Sequence, residues 1–260
     1  MKIIVCVKQV PDTETRVRIS PDGKGLVETD VNWILSPYDE FAIEEALRIK
    51  EAKGGEVILV SLGPERAQSG IRSGLAMGAD SGLHLKDPLF EAADTLGVAR
   101  ALAAAIRTLA PYDLILTGQQ GAGGDNSQIP GLLAELLDLP QATVAVKVQL
   151  EDGKAVVERE VEGAHEIWEV PLPAVISAQK GLNEPRYASL KGIMAAKKKP
   201  VTVVAAAALG LGADQLAPKT ELVGLEPPLP RPPIKMVAGE DAAAQSRELL
   251  RLLHEEAKVI

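Results

Sequence analysis

The sequence predicts an α/β fold, a doubly wound and mostly parallel sheet, and three observations support this prediction. Short apolar runs alternate with helical patterns throughout residues 1–140. Hydrophobic residues make up 46% of the 260-residue chain and aromatic residues only 3%, so Ala, Val, Leu and Ile must build the core. A glycine-rich segment at 117–128 lies between an apolar run and a helical pattern, which is where α/β sheets bind ligands.

The elements of this part follow one another at the spacing of right-handed crossovers. The predicted strands are Ile3–Val7, Val57–Leu62, Leu83–Leu85 and Leu114–Thr117. The predicted helices are Pro37–Lys53, Pro64–Met77, Ala92–Leu109 and Ile129–Leu137. Parallel strands bind ligands beyond their carboxyl ends. The loops in which we expect functional residues are therefore 7–10, 36–37, 61–64 and 117–128.

The pattern changes after residue 140. Three further strands are predicted: Thr143–Leu150, Ala155–Val161 and Ala174–Ala178. A hairpin turn at Glu151–Lys154 joins the first two, because Gly153 accepts a positive φ. A basic stretch follows at 180–199, and residues 217–233 contain six prolines, which favour an extended arm. A last helix is predicted at Asp241–Ala257.

Composition excludes several functions. The net charge of −8 repels phosphates, so we expect neither a nucleic-acid partner nor binding to an anionic membrane. No apolar stretch approaches the ~18 residues of a membrane span, so no direct membrane insertion is expected. Cys6 is the one cysteine, which suits the reducing cytoplasm. With three scattered histidines, the sequence offers neither metal-ligand spacing nor a catalytic triad.

The glycine-rich loop is the most informative segment for function. Glycines allow close approach of a ligand, and the start of the next helix offers free N–H groups to a phosphate. The loop matches neither the Walker A pattern nor the dinucleotide fingerprint, so a nucleotide site and a flexible connection both remain open. Its residues are Gly118, Gln119, Gln120, Gly121, Ala122, Gly123, Gly124, Asp125, Asn126, Ser127, Gln128 and Ile129.

Two other segments have both a functional and a structural interpretation. Carboxylates cluster at the start of the first helix, and we expect them to complement the helix dipole and face water rather than act as acid and base: Asp39, Glu40, Glu44 and Glu45. The basic stretch is either a solvated loop or a docking loop with Leu190 as an apolar anchor. Cys6 lies inside the first strand and is expected to be a buried small residue.

Several segments together resemble the electron-transfer flavoprotein beta family. They are Val5–Asp12, Pro37–Asp39 with Ala42–Leu47, Leu75–Asp80, Val157–Gly163 through Pro173–Ile176, and Leu182–Tyr187 with Ile193–Met194 and Lys197–Lys199. Two positions depart from the family pattern, Ala164 and Trp168. The resemblance covers most of the chain and is weakest after residue 205.

The resemblance implies a fold of the adenine-nucleotide alpha-hydrolase-like type and a role as electron carrier without catalytic residues of its own. It implies a structural AMP in this subunit and a heterodimer with an alpha subunit that holds most of the FAD. Electrons would pass from acyl-CoA and other dehydrogenases to a quinone oxidoreductase. The implied division is a nucleotide-binding domain at 1–200, with a recognition loop at 186–195, and an arm and terminal helix at 201–260 that contact the alpha subunit.

The resemblance also implies roles for individual residues. The AMP site would consist of Cys6, Ser36, Leu62 and the glycine-rich loop from Gly118 to Ile129. Tyr38 and Glu160 would lie toward the flavin at the subunit interface. The residues that would recognise partner proteins are Arg186, Tyr187, Leu190, Lys191, Ile193 and Met194.

Three alternatives remain open. Flavin-bifurcating relatives bind a second FAD in the AMP position, and Gly124–Pro130 resembles their loop, although Gly123 stands where they carry an acidic residue. A stand-alone adenine-nucleotide-binding module would need neither the proline arm nor the basic stretch. An ATP-using enzyme of the same fold would carry a Ser-Gly-Gly-x-Asp or His-rich phosphate loop, which this sequence lacks.

Overall fold

A nine-stranded sheet organises the chain in the computed structural model, which describes residues 1–260. The strands are β1 (Lys2–Cys6), β2 (Gln9–Pro11), β3 (Trp33–Leu35), β4 (Glu56–Leu62), β5 (Ser81–Leu85), β6 (Leu114–Gly118), β7 (Gln141–Glu151), β8 (Lys154–Val161), β9 (Ala164–Pro171), β10 (Ala174–Ala178) and β11 (Val201–Val204). The α-helices are α1 (Pro37–Lys53), α2 (Ala67–Met77), α3 (Pro88–Glu91), α4 (Thr95–Thr108), α5 (Ile129–Leu137), α6 (Leu190–Ala196), α7 (Ala213–Leu216) and α8 (Ala242–Arg251).

The order across the nine-stranded sheet is β11-β5-β4-β1-β6-β10-β7-β8-β9, and the other two strands, β2 and β3, form a separate antiparallel pair. The strands from β11 to β7 are parallel, and β8 and β9 extend the sheet as an antiparallel hairpin. After β1 the chain adds β4 and β5 on one side and then returns to place β6 on the other. The direction of winding therefore reverses between β1 and β6, which is where open α/β sheets form a ligand crevice.

Helices cover both faces of the sheet, as the predicted doubly wound fold requires. Alternate residues of β1 point to opposite faces, because side chains alternate along a strand. Ile3 packs in one apolar cluster with residues of α1 and α2, and Ile4 packs in a second cluster with residues of α4 and α5. Few core side chains are aromatic, and Phe90 is the one buried phenylalanine.

Most predicted elements are confirmed, and α5 has the predicted bounds. The second helix begins at Ala67 rather than Pro64, because residues 64–66 form a turn that precedes it. Strands β2, β3, β9 and β11 were not predicted. Because β11 pairs with β5, the sheet extends past residue 200, while the division into two units at that residue stays a prediction.

The C-terminal arm has neither helix nor strand between residues 217 and 241. It ends in α8, inside the predicted range, and a π-helical turn, Leu252–Glu256, continues that helix. None of the helices in the structure combines the length and the apolar character that a membrane crossing needs.

Candidate functional site

A cleft of about 420 Å³ opens at the carboxyl ends of β1 and β6, where the winding of the sheet reverses. Its volume lies within the range of roughly 300–1,000 Å³ that is usual for small-molecule sites. Most of the residues predicted for nucleotide binding line it: Cys6, Leu62, Gly118, Gln119, Gln120, Gly121, Gly124, Asp125, Asn126, Ser127, Gln128 and Ile129.

Three residues predicted for the same site do not line this cleft. Ser36 is buried behind the loop, where its hydroxyl donates to the carbonyl of Gln120 at 3.5 Å. Ala122 and Gly123 face a neighbouring cavity of about 660 Å³, which shares Lys8 with the cleft. The structure thus brings 12 of the 15 predicted residues together in the cleft and gives Ser36 a supporting position behind the loop.

The glycine-rich loop is held in shape by its own side chains. The amide nitrogen of Gln120 donates to the carboxylate of Asp125 at 2.8 Å, and the hydroxyl of Ser127 donates to the amide oxygen of Gln120 at 2.7 Å. Asp125 and Ser127 have φ angles of 47° and 52°, which residues other than glycine adopt infrequently. The loop is therefore a formed structure, and the prediction of a merely flexible connection does not describe it.

The first turn of α5 faces the cleft. The carbonyl of Gln128 accepts from the amide of Leu132 at 3.0 Å, which is the first hydrogen bond of the helix. The amides of Gln128, Ile129 and Gly131 precede that bond, so they have no acceptor within the helix. Together with the partial positive charge of the helix N-terminus, these amides make the end of the cleft at α5 suitable for an anion.

Asp39 connects the two strands that flank the cleft, and the sequence did not reveal this role. Its carboxylate accepts from the amide of Lys8, after β1, at 2.6 Å, and from the amide of Gly118, at the end of β6, at 3.1 Å. A methyl group at position 118 would lie 2.4 Å from this carboxylate, so glycine is required there. Burial raises the pKa of Asp39 to about 7, and the two amide bonds limit that rise.

The expectation that the first carboxylates of α1 face water is wrong for three of the four. Asp39, Glu44 and Glu45 are buried, because each finds a donor in a different part of the chain. Glu45 accepts from the side chain of Asn183 at 3.0 Å. Helix periodicity cannot reveal such partners, since they lie far away in the sequence.

Cys6 has the buried position that the sequence predicts. Burial, and secondly the carboxylate of Asp39, raise the pKa of its thiol to about 12. The thiol is therefore neutral at physiological pH, and neutral thiols are poor nucleophiles. Cys6 can contact a ligand in the cleft but is not activated for chemistry.

The C-terminal arm reaches the cleft as well. The amide of Lys219 donates to Asp94 at 2.6 Å, and the next residue, Thr220, forms part of the cleft wall. Further along, the amide of Leu225 donates to the carbonyl of Gly23 at 2.8 Å. The sequence does not predict that the arm reaches the cleft, because the spacing of the prolines gives no information on where this segment runs.

The cleft satisfies a chemical requirement of an adenine nucleotide. The side-chain oxygen of Gln119 is buried without a hydrogen-bond partner, and Gln119 lines the cleft. An exocyclic amine such as that of adenine is a donor that would satisfy it. The free amides at the start of α5 suit a phosphate. A free acceptor on Gln119 and free amides at the start of α5 therefore fit an adenine nucleotide.

The predicted recognition residues form a separate surface. Tyr187 is 99% exposed and Leu190 is 78% exposed, and Lys191, Ile193 and Met194 are exposed beside them on α6. Arg186 differs from these, because its guanidinium is bound to Glu44 and Glu51 of α1. The structure therefore gives Arg186 an anchoring contact and leaves the apolar side chains at the surface.

The residues predicted to face the flavin lie on two different elements. Tyr38 is half-buried in the first turn of α1, beside Gly118 at the cleft. Glu160 is exposed on β8, opposite His165 of β9.

Trp33 and Arg66 stack at the rim of the neighbouring cavity, with 3.4 Å between the guanidinium carbon and the ring centroid. Trp168 stacks on Arg159 in the β8–β9 hairpin.

Fold and cleft together define an α/β protein with a formed ligand site at the carboxyl edge of a parallel sheet. Residues 24–209 match the electron transfer flavoprotein domain family. The chain is 42% identical over 256 residues to the electron transfer flavoprotein subunit beta of Sus scrofa, an alignment that covers 97% of this chain and 99% of that protein. The corresponding subunit of Thermoanaerobacterium thermosaccharolyticum is 44% identical over 220 residues, 84% of each chain. That of Bacillus subtilis is 39% identical over 263 residues, with both chains fully covered.

The chain belongs to the electron transfer flavoprotein beta-subunit family, as the sequence predicts. The match begins after β1 and β2, covers the other strands, the glycine-rich loop and α6, and ends before the proline arm. Proteins of this family take part in flavin-dependent electron transfer and are electron carriers.

Proposed function

We propose that this chain binds a structural AMP in the cleft and forms a heterodimer with an alpha subunit that holds most of the FAD. In this role it helps the FAD carry electrons from dehydrogenases, such as acyl-CoA dehydrogenases, to a quinone oxidoreductase. The observation that carries the AMP proposal is the cleft itself, where the formed glycine-rich loop leads into the free amides of α5. The relatives are each a subunit beta, which supports a partner subunit.

The nucleotide content of the complex tests this proposal. The chain is purified together with its alpha partner, the complex is denatured, and the released nucleotides are separated and quantified. One AMP and one FAD per heterodimer are expected. Two FAD and no AMP would replace the proposal with a flavin-bifurcating function, in which the cleft holds the second flavin.

We propose that the exposed apolar side chains on and before α6 bind the dehydrogenase partners. Tyr187 and Leu190 project into solvent, and basic residues surround them at Lys191, Lys197 and Lys198. An apolar anchor within a charged rim is typical of interfaces in which a few side chains provide most of the affinity. The contact between Arg186 and Glu44 supports this role, because it fixes the start of the loop.

Substitution of Leu190 tests the recognition surface. Leu190→Ala in the heterodimer is expected to weaken binding of the dehydrogenase by about 2 kcal/mol, roughly 30-fold, because interface anchors contribute at least that much. The rate of flavin reduction by an acyl-CoA dehydrogenase at limiting concentration reports this change. Val17→Ala, at another exposed aliphatic side chain, is the control. Equal rates for both variants and the wild type would contradict the assignment.

We further propose that Tyr38 and Glu160 lie toward the flavin of the alpha subunit and that the proline arm with α8 contacts that subunit. The arm supports this role because it exposes several apolar side chains: Leu222, Val223, Leu229, Ile234 and Met236. Removal of residues 226–260 is expected to abolish co-purification with the alpha subunit. Stable heterodimer formation by the shortened chain would exclude this role of the arm.

A further inference from the structure

We propose that Lys8 binds the phosphate of the nucleotide and sets the preference of the cleft for AMP over adenosine. This inference rests on the proposed function of the cleft. Among the residues that line the cleft, Lys8 is the one lysine or arginine, whereas three are aspartates: Asp39, Asp94 and Asp125. In a cleft with this composition, an anion needs a cation that is free to pair with it.

The carboxylates are each bound by donors of the chain itself. Asp39 accepts from two backbone amides, at Lys8 and Gly118. Asp94 accepts from the amides of Gly97 at 3.0 Å and Lys219 at 2.6 Å, and Asp125 accepts from a side-chain amide. By contrast, the ammonium group of Lys8 makes neither a hydrogen bond nor an ion pair within the chain. Lys8 is therefore the charged group of the cleft whose hydrogen-bonding capacity is entirely free for a ligand.

The position of Lys8 is fixed from both sides of its backbone. Its amide donates to Asp39 at 2.6 Å, and its carbonyl accepts from the amide of Ser36 at 2.9 Å. Both contacts come from the start of α1, so the lysine is held at the end of β1 where the chain leaves the sheet. A flexible side chain thus projects from a rigid point beside the cleft.

The glycine-rich loop leaves room for this side chain. A methyl group at position 121 would lie 2.9 Å from Cδ of Lys8 and 3.3 Å from its Nζ. At position 124 a methyl group would lie 3.9 Å from the same Nζ. Gly121 therefore permits Lys8 to lie across the loop, and its ammonium group is placed on the wall that leads to α5. The lysine and the free amides of α5 face the same cleft. Phosphate sites commonly combine these two features, because the ammonium supplies a positive charge and the amides supply oriented hydrogen-bond donors.

Calorimetric titration of the nucleotide-free, full-length chain tests the proposal. AMP and adenosine are titrated separately into the wild type, Lys8→Met, Lys8→Arg and a control, Lys53→Met at the far end of α1. We expect Lys8→Met to weaken AMP binding about 10- to 100-fold, the usual loss for a hydrogen bond to a charged group. Adenosine affinity should stay within about twofold, because no phosphate is present. Lys8→Arg should keep most of the AMP affinity, and Lys53→Met all of it.

The two proposals fail in different ways. If the wild type binds AMP but Lys8→Met binds it equally well, or loses AMP and adenosine affinity to the same extent, the role of Lys8 is overturned. If the wild type binds neither compound, the AMP function of the cleft is overturned, and the phosphate assigned to Lys8 with it. Thermal unfolding of each variant provides the folding control. Because the Lys8 ammonium makes no hydrogen bond or ion pair, the unfolding midpoint of Lys8→Met should equal that of the wild type.

Discussion

The guanidinium of Arg186 binds the buried carboxylate of Glu44, 142 positions away in the sequence. Nε lies 2.8 Å from one carboxylate oxygen, and a terminal nitrogen lies 3.1 Å from the other. The side chain of Glu44 is 4% exposed. Burial alone would raise its pKa, but hydrogen bonds from Arg186 and Arg48 outweigh burial and hold the pKa below its usual value. This pair attaches the start of the 186–195 segment to α1.

Arg186→Ala is expected to destabilise the chain by about 1.5–3 kcal/mol, because it removes hydrogen bonds to a buried charged group. Arg48 still pairs with Glu44, so the loss stays below that of a fully unpaired buried charge. The change in the free energy of unfolding is obtained from the midpoint and slope of urea unfolding. Glu51→Ala removes the exposed partner of Arg186 and should cost less than about 1 kcal/mol. Equal losses for the two variants would contradict the dominance of the buried pair.

Asp39 should make stability fall as pH rises. Its folded pKa of about 7 lies above the unfolded value of 3.8, so the folded state binds the proton more tightly. The neutral form therefore stabilises the fold fully below pH 3.8, and this contribution is lost as pH rises toward 7. Lys8, Glu40 and the Cys6 thiol are the titratable groups that interact with this carboxyl.

Asp39→Asn isolates this pH dependence. The difference in thermal midpoint between wild type and variant is expected to change across the interval from about pH 4 to pH 7 and to become constant above it. Asn keeps one of the two acceptor atoms, so a pH-independent loss is also expected. As a control, Asp22→Asn removes a carboxyl whose pKa is lowered by the Ser20 hydroxyl, so the difference from wild type should be constant from pH 4 upward and change only at lower pH. A difference between Asp39→Asn and wild type that is constant from pH 4 to pH 9 would exclude the raised pKa.

The Cys6 thiol should resist modification in the folded chain. With a pKa of about 12 and a buried side chain, the thiolate fraction at pH 8 is about 1 in 10,000. A colorimetric disulfide reagent should therefore label the native protein far more slowly than the urea-unfolded protein. Cys6 is the one cysteine, so no other thiol contributes to the signal. Rapid labelling of the native chain would show that the cleft leaves the thiol open.

Gly192 should be required for the packing of α6 on α2. A methyl group at this position would lie 2.3 Å from the carbonyl oxygen of Ala76. Gly192→Ala is therefore expected to cost about 1–3 kcal/mol, as overpacking usually does, and to expose the recognition loop to protease. Leu190→Ala, on the exposed side of the same helix, should change stability by less than about 0.5 kcal/mol. Urea unfolding measures the stability of the two variants, and limited proteolysis measures how readily the loop is cleaved in each.

Local patterns were sufficient to predict the parallel sheet and most of its helices. The helix α5 begins and ends where periodicity places it, since its apolar positions and the preceding glycine-rich loop are both local signals. The strand β9 was missed because nearly all its side chains are exposed on the hairpin, so no apolar alternation marks it. The strand β11 was missed because a basic stretch precedes it and two of its four residues are exposed.

The cleft was predictable in place but not in its charges. Glycines after an apolar strand located the loop, while Asp39 and Lys8 gave no local sign of their roles. Asp39 is bound by two amides at the ends of different strands, and that contact exists only after the sheet has formed. The position of Thr220 in the cleft wall likewise depends on the contact between Lys219 and Asp94, which are 125 residues apart.

The two tryptophans give the protein separate optical reporters. Trp33 stacks on Arg66 at the rim of the cavity that adjoins the cleft, whereas Trp168 lies on the β8–β9 hairpin. Replacement of Trp168 by Phe would leave a single indole whose emission reports on the rim alone. Ligand entry could then be followed in real time by fluorescence, with the complementary Trp33→Phe variant as a probe of the hairpin.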